Sequence, residues 1–375
     1  MKKNVEMGPV VSRRSALGLM AASGMALALA GCDDGSNQAA EEAASKVEGA
    51  FDAEGAELVI STWGFNSEQK RELVFAPFEK AYNCTITVEE GNNGERLAKI
   101  EQRPDAYDVI QLSDYYMEQA IEKGLVAKAE KDQLTNLDGL YDKCKTPNGE
   151  EYGPAFTINR MGIVYDKSVI EEPITSWADL WRSDLEGKVA IPDFSVTAGP
   201  WMLNVAARQL GEELSADNAE AAINKLAEMK NNVVKFFTSS SDVVNMFNQG
   251  EVSVAVLQDF SSQTLLDASE DFVWVDPSEG TWGGTNVSNV SAQSKNAKLA
   301  TAFVNYTLDK EVQQRNVETG DAPTRPDVEL TDEQKKSLVH GQELVDSITL
   351  PDLKLLLSNR DQWQTLWNNV LNTSK

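Results

Sequence analysis

Between residues 57 and 372, short apolar runs alternate with amphipathic stretches, the pattern of an α/β chain whose strands are covered by helices. The first run, 58–62, is apolar and β-branched, as a buried parallel strand should be. Ser67 then stands where a helix N-cap is wanted, and an amphipathic run leads to a second strand ending near Glu90. The loop between them, Trp63-Gly64-Phe65-Asn66, falls at the C-terminal end of the first strand, where open α/β sheets bind ligands. A helix over 95–103 is stopped by Pro104, and 107–112 is a third strand. At its end Ser113-Asp114-Tyr115-Tyr116 opens a helix that Gly124 closes as a left-handed cap.

The pattern continues beyond residue 155. Alternating residues at 156–165 predict a strand crossing to a new sheet, followed by a helix capped by Ser176 and a strand at 188–192. The small-residue loop 195–200 leads into a helix; it is either an anion site built on free backbone donors or an ordinary capped connection. Helices are expected at 215–231 and from the serine run 239–241 to Gln249, with strands at 233–237, 251–257 and 273–275. Gln258 and Asp259 stand at one of these strand ends. The glycine-rich passage 279–286 suits a hinge, because glycine tolerates the backbone angles that rotation demands. Helices at 297–309 and 311–318 and a mainly helical C-terminal part complete the chain, and no internal repeat is present.

What precedes residue 57 reads as delivery. Lys2, Lys3, Arg13 and Arg14 form a basic region around a twin-arginine-like SRRSAL, and 16–30 is an uncharged apolar stretch too short for a comfortable membrane span. It ends in Leu29-Ala30-Gly31-Cys32, which resembles a bacterial lipobox and makes Cys32 the expected lipid attachment point. Residues 32–56, poor in large apolar side chains, are expected to be a flexible tether reaching roughly 25–30 Å as a random coil, with a short helix around 39–47 as the alternative.

Removing residues 1–31 takes the net charge from −25 to about −28, a balance that argues against nucleic acid or anionic lipid surfaces as partners. The roughly 320 remaining residues are long enough for two cores. Cys84 and Cys144 could pair in an oxidising compartment or remain free thiols. The single histidine, His340, and the absence of GxSxG, HExxH and DxDxDG motifs speak against a hydrolase, a metal centre or a cofactor.

FAPFEKAYNCTITV, AYDVIQLSDYYMEQAIEKGLV, TSWADLWRSDLEGKVAIPD, NQGEVSVAVL and KNAKLATAFVNYTLDKEVQQRNVETGDAPT occur in this order. Together they resemble the spermidine/putrescine-binding group of substrate-binding proteins of bacterial ABC importers. The resemblance implies a two-domain, type II periplasmic-binding-protein-like α/β fold with a hinge and an interdomain cleft. Domain 1 is then 57–155 plus 286–321 and domain 2 is 156–284 plus 325–375. It further implies a monomer without catalytic activity that hands a small ligand to a permease and its ATPase.

That family holds polyamines with carboxylates and aromatic faces, which suit ammonium groups and methylene stems. Trp63, Ser113 and Tyr115 match its positions, while Asn66 replaces an aromatic, Gln258 a Trp, Asn286 the Asp at the crossing, and Gly284 a further Trp. Asp193 keeps one member of the family's acidic pair; Asp114 and Asp259 restore negative charge, and Trp282 offers another aromatic wall. The expected ligand is a small, polyamine-like amine. A zwitterionic or anionic ligand held near Thr197, Ser239 and Arg325 is the alternative, and a secreted hydrolase the remote one.

Overall fold

The computed structural model describes residues 34–371, so the basic leader and Cys32 lie outside the described residues. Ten strands form: β1 (Glu57–Thr62), β2 (Thr85–Glu90), β3 (Val109–Ser113), β4 (Ala155–Asp166), β5 (Val189–Pro192), β6 (Val233–Phe237), β7 (Val254–Gln258), β8 (Phe272–Val275), β9 (Thr281–Val290) and β10 (Ile348–Thr349). Hydrogen bonds join them in the order β2-β1-β3-β9-β4-β7-β5-β6, with β8 on β4 and β10 on β9. β1 is parallel to β2 and β3, and β5 is parallel to β6 and β7, as strands joined by helical crossovers must be.

β4 and β9 behave differently. They are long antiparallel partners, and each belongs to both halves of the molecule: β9 pairs with β3 from Asn286 onward and with β4 up to Val287, while β4 runs on to pair with β7 and β8. Two α/β lobes joined by crossing strands result, the two-lobed architecture that the family resemblance implies.

One apolar cluster belongs to the first lobe, and a larger one runs from the second lobe into the first through Ile110, Leu112 and Tyr116. Leu58, Ile60, Phe78 and Phe303 are fully buried in the first, with Phe78 stacked on Tyr82 at 4.3 Å between ring centroids. Trp177, Ile191, Trp201, Trp363 and Trp367 are buried in the second. The C-terminal helix Leu353–Val370 packs on the helix Ala219–Glu228 and also on Asp114–Glu122, bridging the back of both lobes.

Several boundaries differ from expectation for local reasons. The residue before the helix that follows β1 is Asn66 rather than Ser67, in the left-handed conformation (φ 49°) that asparagine tolerates. Ser176 does cap, with Asp179 in a reciprocal capping box, but the turn it opens is a short 3₁₀ piece. The glycine-rich passage is not a loop: Gly283 and Gly284 lie inside β9 with no positive φ. Glycine is required there by close approach, since a Cβ on Gly284 would lie 2.8 Å from the Trp201 ring and 3.3 Å from the Asp114 carboxylate.

Part of the expected tether is ordered as well. Residues Asp34–Ser45 form a helix that packs on the helix Ala76–Tyr82, with Ala40 buried, and Phe51 meets Tyr82 edge-on at 5.2 Å. A docked helix spans about 1.5 Å per residue, so this segment reaches less far than the random coil of the sequence reading. Cys84 and Cys144 are both free and buried, in different clusters.

Candidate functional site

A cavity of about 120 Å³ opens where the two crossing strands meet the strand ends of both lobes. Phe156 to Asn159 of β4 and Gly284 to Asn286 of β9 form its floor. The first lobe contributes Trp63 and Phe65 from the loop after β1, and Ser113 and Asp114 from the end of β3. Thr197, Gln258 and Phe260 face them from the second lobe. Phe65 and Phe260 touch across the mouth, with ring centroids 6.0 Å apart in an edge-to-face arrangement.

Asp114 is the chemically distinctive residue. One carboxylate oxygen accepts the Tyr115 N–H at 2.7 Å; the other accepts the Thr285 N–H at 2.8 Å and its hydroxyl at 3.2 Å. No Lys, Arg or His among the described residues is seen within ion-pair distance, and burial pushes the acid up to about 6 despite these donors. The neighbouring Ser113 hydroxyl is buried, lines the cavity and has no hydrogen-bond partner among the described residues. An unpaired carboxylate beside an unpartnered hydroxyl is an unfinished polar site of the kind a ligand completes.

Trp63 is held from behind. The Arg96 guanidinium sits 4.3 Å from its ring centroid, fully buried, and donates to the carbonyls of Gly91 (2.9 Å) and Gln111 and to the Asn93 side chain (3.2 Å). Burial lowers the Arg96 pKa to about 9, so it remains charged at neutral pH. At the other edge Lys70 and Asp321 form an ion pair at 2.9 Å and both line the cavity.

The remaining expected residues divide. Trp63, Ser113, Asp114, Gln258 and Asn286 line the cavity together; Gln258 donates to the Asn159 side chain at 2.7 Å. Asn66 lies outside it, exposed, donating to the Thr319 carbonyl at 2.8 Å. Tyr115 is turned into the core edge-on to Tyr116, and Asp193 accepts from the N–H and hydroxyl of Ser195. Asp259, between two lining residues, points away to Arg160 at 3.3 Å and is raised to about 7, burial outweighing the guanidinium. Trp282 is buried in the second lobe, packed on Trp177 and with Arg208 4.9 Å from its ring. Of the residues named for an anion, Thr197 lines the cavity, whereas Arg325 is paired with Asp327 at 2.8 Å outside it.

Phe65, Lys70, Asn159, Phe260 and Asp321 were missed. Phe65 and Phe260 sit beside residues that the strand-end rule selected, but Lys70 and Asp321 meet only through the fold. Among the described residues there is no cluster of His, Cys, Asp and Glu able to hold a metal, and no helix long and apolar enough to cross a membrane. His340 is half-buried, with Nδ1 2.9 Å from the Leu338 carbonyl, and lies outside the cavity.

Two lobes, two crossing strands and, between them, an aromatic-walled cavity that holds a buried acid define a ligand-binding protein of the periplasmic type II class. The chain belongs to the bacterial extracellular solute-binding protein family, whose model matches residues 74–339. This family supplies the substrate-binding component of ABC transporters and is not enzymatic. Among curated relatives, the spermidine/putrescine-binding periplasmic protein of Escherichia coli is 28% identical over 244 residues, 62% of this chain and 68% of its own. Spermidine/putrescine-binding periplasmic protein 1 of Haemophilus influenzae is 25% identical over 313 residues, 80% of this chain and 81% of its own. Among solved structures, an ABC transporter from Clostridium perfringens is 39% identical, with a TM-score of 0.76 over 84% of this chain and all of its own. The spermidine/putrescine substrate-binding protein of Streptococcus pneumoniae shares the fold at 19% identity, with a TM-score of 0.68 over 84% of this chain and 100% of its own.

Proposed function

We propose that the chain captures a small amine in the cleft between its lobes and delivers it to the permease of an ABC importer, while Cys32 holds it to the membrane through a lipid. One observation carries the ligand reading: Asp114 is a buried carboxylate without a cationic partner among the described residues, beside an unpartnered Ser113 hydroxyl. An ammonium is the group that completes such a site, through a charge-assisted hydrogen bond. Aromatic walls at Trp63, Phe65, Phe156 and Phe260 suit the methylene stem of an amine. Closure follows the lobe boundaries 57–155 plus 286–321 and 156–284 plus 325–375, and a ligand favours it only by making better contacts in the closed form.

Lys70 favours a second reading. It lines the cavity within its pair with Asp321, so a zwitterionic ligand could place a carboxylate on Lys70 and its amine on an acid. A thermal-shift panel separates the two, because ligand at about 100 times its Kd adds roughly 2.7 kcal/mol to stability. Spermidine and putrescine raising Tm supports the first reading. Unchanged Tm with every amine that lacks a carboxylate or phosphonate, and a rise only with ligands that carry one, rejects it. Release of a Cys32→Ser variant from the membrane fraction tests the anchor.

A further inference from the structure

A second cavity, of about 150 Å³, adjoins the first, and Thr197 and Gln258 line both. Its other walls come from the C-terminal ends of β5, β6 and β7: Pro192, Phe237, Thr238, Ser240 and Val256 among them. The Gln258 side chain, held by its bond to Asn159, stands where the two spaces meet. The chemistry of the two spaces differs sharply. The first contains Asp114, Asp321 and Lys70, whereas no residue lining the second is ionisable.

That difference bears on what a ligand can place beyond Gln258. An ammonium there would give up its hydration with no carboxylate to receive it. Asp193, next to Pro192 in the chain, does not line this space, and one of its oxygens already accepts from Ser195 twice. A hydroxyl or carboxylate oxygen fares better, since the hydroxyls of Thr197, Thr238 and Ser240 can each donate.

We propose that the solute is a monoamine with an oxygen-bearing tail: its ammonium sits at Asp114 and its tail passes Gln258 into the second cavity. This deepens, and rests on, the amine reading given above. It makes Gln258 and Thr238 determinants of tail chemistry and sets this cleft apart from one built for two ammonium groups.

A matched series tests it by isothermal titration: butylamine, aminobutanol, aminobutyrate and putrescine share one amine end and differ at the other. Aminobutanol or aminobutyrate should bind roughly tenfold or more tighter than both butylamine and putrescine, the factor expected for one added hydrogen bond. Thr238→Trp, which fills the second cavity from its exposed rim, should bring the oxygen-bearing ligands down to the butylamine level. Putrescine binding as tightly as aminobutanol overturns the inference while sparing the amine reading. Aminobutyrate keeping its advantage in Thr238→Trp also overturns it and points to Lys70 instead. If no amine in the series binds, the amine reading falls and the inference with it.

Discussion

Replacing Asp114 by Asn removes the one buried acid to which the ligand's positive charge is assigned, and the size of the effect can be worked out in advance. In the empty protein burial raises this acid from 3.8 to about 6. At 1.36 kcal/mol per pKa unit, holding it ionised at neutral pH costs about 3 kcal/mol. Because the folded value lies above the unfolded one, the stabilising contribution of the protonated acid is complete below 3.8 and is lost as the pH rises through about 6. An ammonium ligand recovers part of this cost, since its charge-assisted bond requires the carboxylate. Binding should therefore be strongest above pH 6 and weaken by about tenfold per unit below it. Asp114→Asn should weaken amine binding by roughly tenfold to more than a hundredfold, the worth of a hydrogen bond to a charged group, and abolish that pH dependence.

The variant should still fold. Its amide cannot accept from both Tyr115 and Thr285, which costs about 1–3 kcal/mol, but the charge no longer has to be buried, and the two changes nearly offset. Titration calorimetry between pH 5 and 8 on both proteins, with Tm measured in parallel, is the assay. A Kd that changes less than about threefold, or a profile for the variant that parallels the parent, refutes the assignment of the ammonium to Asp114.

Three further outcomes are expected. Gly284→Ala drives a Cβ toward Trp201 and Asp114 and should destabilise the protein by about 1–3 kcal/mol in urea unfolding; a neutral result means that β9 can move away from the second lobe. Phe65→Ala and Phe260→Ala should each speed ligand release in stopped-flow fluorescence, and the double variant should show a coupling of about 0.5–1.5 kcal/mol; additive effects mean that the rings do not meet in the liganded state. Burial pushes the Cys84 thiol up to about 11 and Cys144 to about 12, so a thiol reagent at pH 8 should label both only after unfolding, and rapid labelling of native protein contradicts their packing.

The strands were legible because buried parallel strands must be apolar runs, and most cavity residues found in advance, Trp63, Ser113, Asp114, Gln258 and Asn286 among them, lie at or near strand ends or on a crossing strand. What failed was direction. Asp114 and Tyr115 are adjacent at a helix start, and successive helical residues point about 100° apart, so one reaches the cavity and the other the core. Gln258 and Asp259 repeat the case at the end of β7, where Arg160 draws the acid away. The Lys70–Asp321 pair had no local signature at all, since only the return of the chain beside the first lobe brings the two together. At Gly284 the hinge reading left out a second cause for glycine, the crowding by Trp201.

The floor of the cavity is also the only pair of strands shared by both lobes among the described residues. On the proposed function, the strands that flex as the lobes open are the ones the ligand rests on, so a change at Asn159 or Asn286 would alter ligand contact and the resting angle of the lobes together. Substitutions at the rim, at Phe65 or Thr238, can alter selectivity alone. A lineage adapting this protein to a new nutrient would then be expected to vary its rim freely while leaving its floor nearly untouched.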